Sequence, residues 1–133
     1  MLYEIRCLYE QETPKGEMKQ VSELYIYDAE LVSECEAKML EEIPESEVTC
    51  VCRSKIIEIV NPNIRGGAYY KAKITETSTN EDGSESSRSY QVLCNAENLP
   101  KATGIFQEYL RCGLETMVID SITKTKIVDI LYP

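Results

Sequence analysis

The chain contains no histidine, no tryptophan and only one phenylalanine. Without histidine, neither a Ser-His-Asp nor a Cys-His arrangement can be assembled to activate a nucleophile. The same absence, with no second closely spaced cysteine pair beside Cys50-Val51-Cys52, argues against a structural zinc site. No phosphate-binding glycine pattern is present either. Gly66-Gly67 stands alone and reads as a hinge. No apolar run approaches the roughly 20 residues that a membrane-crossing helix needs. The start, Met1 to Glu10, places Glu4 and Arg6 where a secretory leader would be apolar. These absences lead to the expectation of a non-enzymatic, cytoplasmic protein with no cofactor, no metal and no membrane contact.

What is present is globular in composition. Of the 133 residues, 43% are apolar and 28% charged, enough to bury the core of one domain. The six cysteines (Cys7, Cys35, Cys50, Cys52, Cys94 and Cys112) fall within apolar patterns and read as reduced, mostly buried small hydrophobes. The net charge of −9 is lopsided: residues 1–50 hold four basic and thirteen acidic side chains, while residues 51–133 hold ten of each. Such a balance opposes non-specific polyanion binding by the whole chain and leaves room for a local basic face in the second half. Glu30, Glu34, Glu36, Glu41 and Glu42 cluster on one expected helix and read as its solvated face.

Three stretches recur in order. Arg53 to Val60 reappears as Lys124 to Leu131 with every position keeping its chemical type. Asp28-Ala29-Glu30 reappears as Asn95-Ala96-Glu97, and Leu2 to Arg6 is echoed by Tyr69 to Lys73. The chain therefore reads as an α+β fold made by tandem duplication of a ββαβ unit, with a mainly antiparallel sheet, two helices and a pseudo-twofold axis. Repeat 1 is residues 1–60, a linker spans 61–67 and repeat 2 is 68–133, all within one domain. Alternation predicts strands over 2–9, 18–27, 68–77 and 87–94. Long final strands are predicted over 47–60, bent near Arg53-Ser54, and over 116–131. Asp28 and Asn95 are candidate helix N-caps. Pro44 and Gly113 are the expected helix stops.

One constellation invites a functional reading. Tyr69, Lys71 and Lys73 alternate onto one strand face. Arg53 and Lys55 alternate likewise, as do their counterparts Lys124 and Lys126, and Arg65 lies in the linker. Cations that track phosphates, interleaved with a ring that stacks on a base, suit single-stranded nucleic acid. The competing reading is the ordinary wet face of an antiparallel sheet.

Met1 to Arg6, Val21 to Tyr25, Glu34 to Ala37, Val48-Thr49 and Tyr69 to Lys73 together resemble a domain family of unknown function found in Bacteroides-group bacteria and their bacteriophages. The resemblance implies a phage or mobile-element origin and a bacterial host cell, and it carries no catalytic residues. Residues 46–112 also read as four strands followed by a helix, an order similar to the repeat of the PUR and Whirly single-stranded nucleic-acid-binding families. The chain departs from them by having only two strands before its first helix and by its acidic first half. The expected function is single-stranded nucleic-acid binding, by a monomer or homodimer. The alternatives are a phage anti-defence inhibitor that sequesters a nucleotide signal or a host protein, and a virion component.

Overall fold

The structure, a computed structural model, describes residues 1–64, 66–111 and 116–132. Its elements in order are β1 (Leu2–Glu12), β2 (Met18–Asp28), α1 (Val32–Glu42), β3 (Glu47–Arg53), β4 (Ile56–Ile59), β5 (Ala68–Thr79), β6 (Glu85–Ala96), α2 (Leu99–Arg111), β7 (Thr116–Lys124) and β8 (Ile127–Leu131). The fold is α+β, with two four-stranded, mostly antiparallel sheets rather than one. Sheet 1 has the order β3-β1-β2-β8 and sheet 2 the order β4-β6-β5-β7.

The long final strand expected in each half is broken. β3 stops at Arg53 and β7 at Lys124, and the short strand after each break pairs elsewhere. β4 runs parallel to β6, and β8 runs parallel to β2. Each sheet is thus completed by the last strand of the other half. The compact units are residues 1–54 with 126–133, and residues 55–125, so they do not coincide with the halves 1–60 and 68–133 expected from the sequence. The physical gain is local: β2 and β6 would otherwise be open sheet edges, and a parallel strand satisfies their backbone groups.

The register repeats residue for residue. Leu2 faces Asp28 as Tyr69 faces Asn95, and Tyr3 faces Arg53 as Tyr70 faces Lys124. The irregularities repeat too. A bulge follows Arg6 in one pairing and Lys73 in the other, and the parallel pairs slip after Leu24–Ile127 and after Ile56–Gln91. Both hairpin turns use the same bonds. The Gly16 N–H donates to Thr13 O (2.9 Å) and the Gly83 N–H to Asn80 O (3.0 Å), each glycine at φ above +80° where a side chain would be strained.

In the first unit, one face of β1 and β2 packs Tyr3, Ile5, Cys7 and Tyr25 against Cys35 and Met39 of α1, with Leu131 of β8 joining them. In the second, Tyr70, Ala72, Ile74, Val92 and Cys94 pack against Ala102 and Phe106 of α2. Cys35 and Met39, like Ala102 and Phe106, are four residues apart. That spacing puts them on one helix stripe. The five glutamates Glu30, Glu34, Glu36, Glu41 and Glu42 are all exposed, as the charge pattern predicted.

The expected caps fall elsewhere. Asp28 ends β2 and takes the Met1 ammonium at 2.6 Å, while α1 starts after Leu31, which supplies no side-chain cap. Asn95 is the penultimate residue of β6, buried at 3% exposure, and its Oδ1 accepts the Gly67 N–H at 3.2 Å. Its backbone N–H donates to Asn61 Oδ1 at 2.8 Å. Asn98 is the true cap of α2, accepting the Lys101 N–H at 3.0 Å. α1 ends at Glu42, just ahead of Pro44; Gly113, the other expected stop, lies outside the described residues. Gly67, read from sequence as a hinge, is a packing position. A Cβ there would stand 2.5 Å from Ala96 O.

Candidate nucleic-acid interface

Sheet 2 has two faces of different character. Tyr70, Ala72 and Ile74 of β5 turn toward α2. The alternate residues Tyr69, Lys71, Lys73 and Thr75 occupy the other face. Pairing brings further side chains to that face: Leu93, Gln91 and Ser89 from β6, and Thr123 and Ser121 from β7, opposite Lys71 and Lys73.

This second face grades from closed to open. Tyr69, at 4% exposure, and Leu93 are buried. Lys71 and Gln91 are half-buried, and Lys73, Ser89, Ser121 and Thr123 are exposed. Tyr69 therefore cannot serve as the stacking ring expected of it, because almost none of its surface is accessible. Its carbonyl anchors the end of β7 instead, accepting both the N–H and the hydroxyl of Thr125 at 2.8 Å. Thr75 donates to Asp120, the residue at the β7 bulge, and lies 3.2 Å from the Ser89 hydroxyl. Asp120 is thus engaged by a hydroxyl, and among the described residues no carboxylate pairs with Lys71 or Lys73.

The other expected residues do not gather there. Lys124 sits opposite Tyr70 and so belongs to the helix side of sheet 2. Arg53, opposite Tyr3, holds the corresponding place in sheet 1. Lys55 precedes β4 in the second unit, and Lys126 precedes β8 in the first; both are exposed. Arg65 lies outside the described residues. Sequence alternation missed Ser89, Gln91, Ser121 and Thr123, since only pairing reveals which strands flank Lys71 and Lys73. It also missed Arg88, which pairs with Glu76 at 3.1 Å and stacks on Tyr90, its guanidinium 5.3 Å from the ring centre. Arg88 borders an open recess of about 310 Å³ lined with Glu76, Ser78, Ser86 and Ser87.

Sheet 1 carries the counterpart of the lysine face. Glu4 and Arg6 stand where Lys71 and Lys73 stand, and Cys52 and Cys50 where Thr123 and Ser121 stand. The charges there cancel. Charge also divides between the units: residues 1–54 with 126–133 hold six basic and fourteen acidic side chains, and residues 55–125 hold eight and nine.

The profile of a family described as "Domain of unknown function (DUF4494)" matches residues 1–133, the whole chain. The chain belongs to the DUF4494 family. Among curated proteins and among solved structures, nothing matches it. The chemistry of this family member lies in its own side chains. For the described residues these are amines, hydroxyls and a carboxamide on an open strand surface, with no cluster of three or more acidic or thiol groups able to hold a metal. No helix among them is long and apolar enough to cross a membrane.

Proposed function

We propose that the protein is a non-enzymatic, single-stranded nucleic-acid-binding protein of bacterial or phage origin, built by tandem duplication and acting in the cytoplasm. The observation that carries the reading is the open face of sheet 2. Among the described residues Lys71 and Lys73 have no carboxylate partner there, and Ser89, Gln91, Ser121 and Thr123 flank them. Two ammonium groups alternating along a strand lie about 7 Å apart, close to the spacing of successive phosphates in an extended single strand. Hydroxyls and the Gln91 carboxamide offer hydrogen bonds to phosphate and sugar. Lys73 is exposed and neither described recess is lined by Lys71 or Lys73, which suits a polymer better than a small nucleotide. With Tyr69 buried, affinity rests on phosphate contacts, and sequence preference is expected to be weak.

The test is fluorescence anisotropy of labelled oligonucleotides across a salt series. Binding should weaken with salt, since each phosphate contact releases counterions. Replacing both lysines (Lys71→Ala with Lys73→Ala) should flatten the log–log salt slope by about 1.4, at roughly 0.7 per contact on a single strand. No binding to any single strand at low salt overturns the proposal.

A second reading has its own support. The first unit carries a net charge of −8, and an open recess of about 460 Å³ there is lined by Leu8, Tyr9, Glu10, Met18, Gln20, Glu45 and Glu47. An acidic surface of this kind mimics a nucleic acid toward a basic host protein. That is the anti-defence alternative, and co-purification of a basic host protein through this surface would favour it.

A further inference from the structure

The five described cysteines divide sharply. Cys7, Cys35 and Cys94 are buried in the two cores, whereas Cys50 and Cys52 are exposed. The sequence-based expectation that the cysteines are mostly buried fails for this pair, because β3 is an edge strand and both thiols lie on its face away from α1. They alternate around the half-buried Val51 and so project on the same side. Both thiols are free. Across the strand pair, Arg6 faces Cys50 and Glu4 faces Cys52.

The fold does not need sulfur at these two places. The same positions of the second half hold Ser121 and Thr123, in the same register beside the same bulge. A thiol pair standing where the other half has hydroxyls asks for a reason in the chemistry of sulfur.

We propose that Cys50 and Cys52 together bind one monovalent copper ion, Cu(I), as a two-coordinate bis-thiolate on the outer face of β3. Geometry favours this over a disulfide. Residues two apart on a strand have Cβ atoms about 6.8 Å apart, whereas a disulfide brings them to roughly 3.5–4.5 Å. Closing that bond would buckle β3, while an ion placed between two sulfurs on the same face lets the strand stay extended. Ligand count favours Cu(I) over zinc. Soft thiolates select Cu(I), and zinc demands four ligands. Among the described residues, no third Cys, Asp or Glu completes a larger site.

The step balances without an oxidant. Two S–H bonds break, two S–Cu bonds form, two protons pass to solvent, and copper stays monovalent. The bis-thiolate carries one net negative charge, which the Arg6 guanidinium opposite Cys50 favours and the Glu4 carboxylate opposite Cys52 opposes.

The experiment is an anaerobic competition titration of the reduced, full-length protein with Cu(I) against a chromogenic Cu(I) chelator. The expected result is one equivalent of copper withheld from the chelator, at least tenfold weaker retention in C50S or C52S, and none in C50S with C52S. Far-ultraviolet circular dichroism checks that the variants, both at exposed positions, stay folded. Retention of the equivalent by the folded double variant overturns the proposal. So does a wild-type protein that leaves all copper with the chelator, including one whose Cys50 and Cys52 oxidise readily to a disulfide.

Discussion

Glu23 stands between two phenols. Its carboxylate accepts hydrogen bonds from Tyr9 and, at 2.6 Å, from Tyr25. The hydrogen bond to Glu23 raises the Tyr9 pKa to about 12. Burial, then the same carboxylate, pushes Tyr25 higher still. In the second unit burial and a 2.7 Å bond to Glu58 raise Tyr109, and burial alone raises Cys94 to about 11. All four groups are neutral when protonated, and folding holds the proton more tightly than the unfolded chain does. Their contribution is complete below the unfolded values, near 9 for the thiol and 10 for the phenols. It is lost as pH rises through the folded ones. Stability should thus be flat around neutrality and fall from about pH 9 upward. Urea midpoints measured from pH 7 to 11 check this, and a midpoint unchanged at pH 11 would contradict it. Tyr9→Phe should shrink the part of the decline above pH 10.

At the scale of elements, the two helices are unequally finished. α2 begins with the Asn98 cap, whose loss in Asn98→Ala should cost about 1 kcal/mol. α1 begins after Leu31, 60% exposed and already extended at φ −124° and ψ 144°, as a cap residue is. Leu31→Ser should therefore stabilise the protein by about 0.5–1 kcal/mol, since it supplies the missing acceptor without straining the backbone. Thermal denaturation of the two variants should move in opposite directions. Local sequence rules misplaced both caps for one reason. They put the cap at the first polar residue after each strand, yet Asp28 and Asn95 are drawn into tertiary bonds with the Met1 ammonium and with Gly67.

At the scale of the whole molecule, the exchange of final strands makes the chain ends matter in an unexpected place. Residues 126–133 belong to the first unit, where Ile127, Ile130 and Leu131 are buried. Burying three such side chains is worth about 5–9 kcal/mol, comparable with the stability of an entire small domain. Truncation after Thr125 should consequently unfold the amino-terminal sheet first. Hydrogen exchange should show lost protection in β1 and β2 while β5 and β6, whose unit lies wholly within residues 55–125, keep theirs. Faster exchange confined to β5–β7 would contradict the assignment of β8 to sheet 1.

By itself the sequence determined the elements and their order: the alternation of Tyr3, Ile5 and Cys7, the turn residues before Gly16, the stop at Pro44, and the ordered matches between the halves. All of these are local signals, because strand period, turn geometry and helix propensity depend on near neighbours. Even the four-residue change of offset between the repeats, 67 up to the helix start and 71 from β3 onward, was present in those matches. Only the tertiary structure decided where the last strands go, and with them the faces. The Ile56 and Ile127 strands have the same pattern whether they continue β3 and β7 or cross to the other sheet, because a strand's edge hydrogen bonds do not depend on side-chain identity. That choice placed Lys124 and Lys126 in different units. It left Lys71 and Lys73 together on an open face, since burial follows from partners distant in the chain.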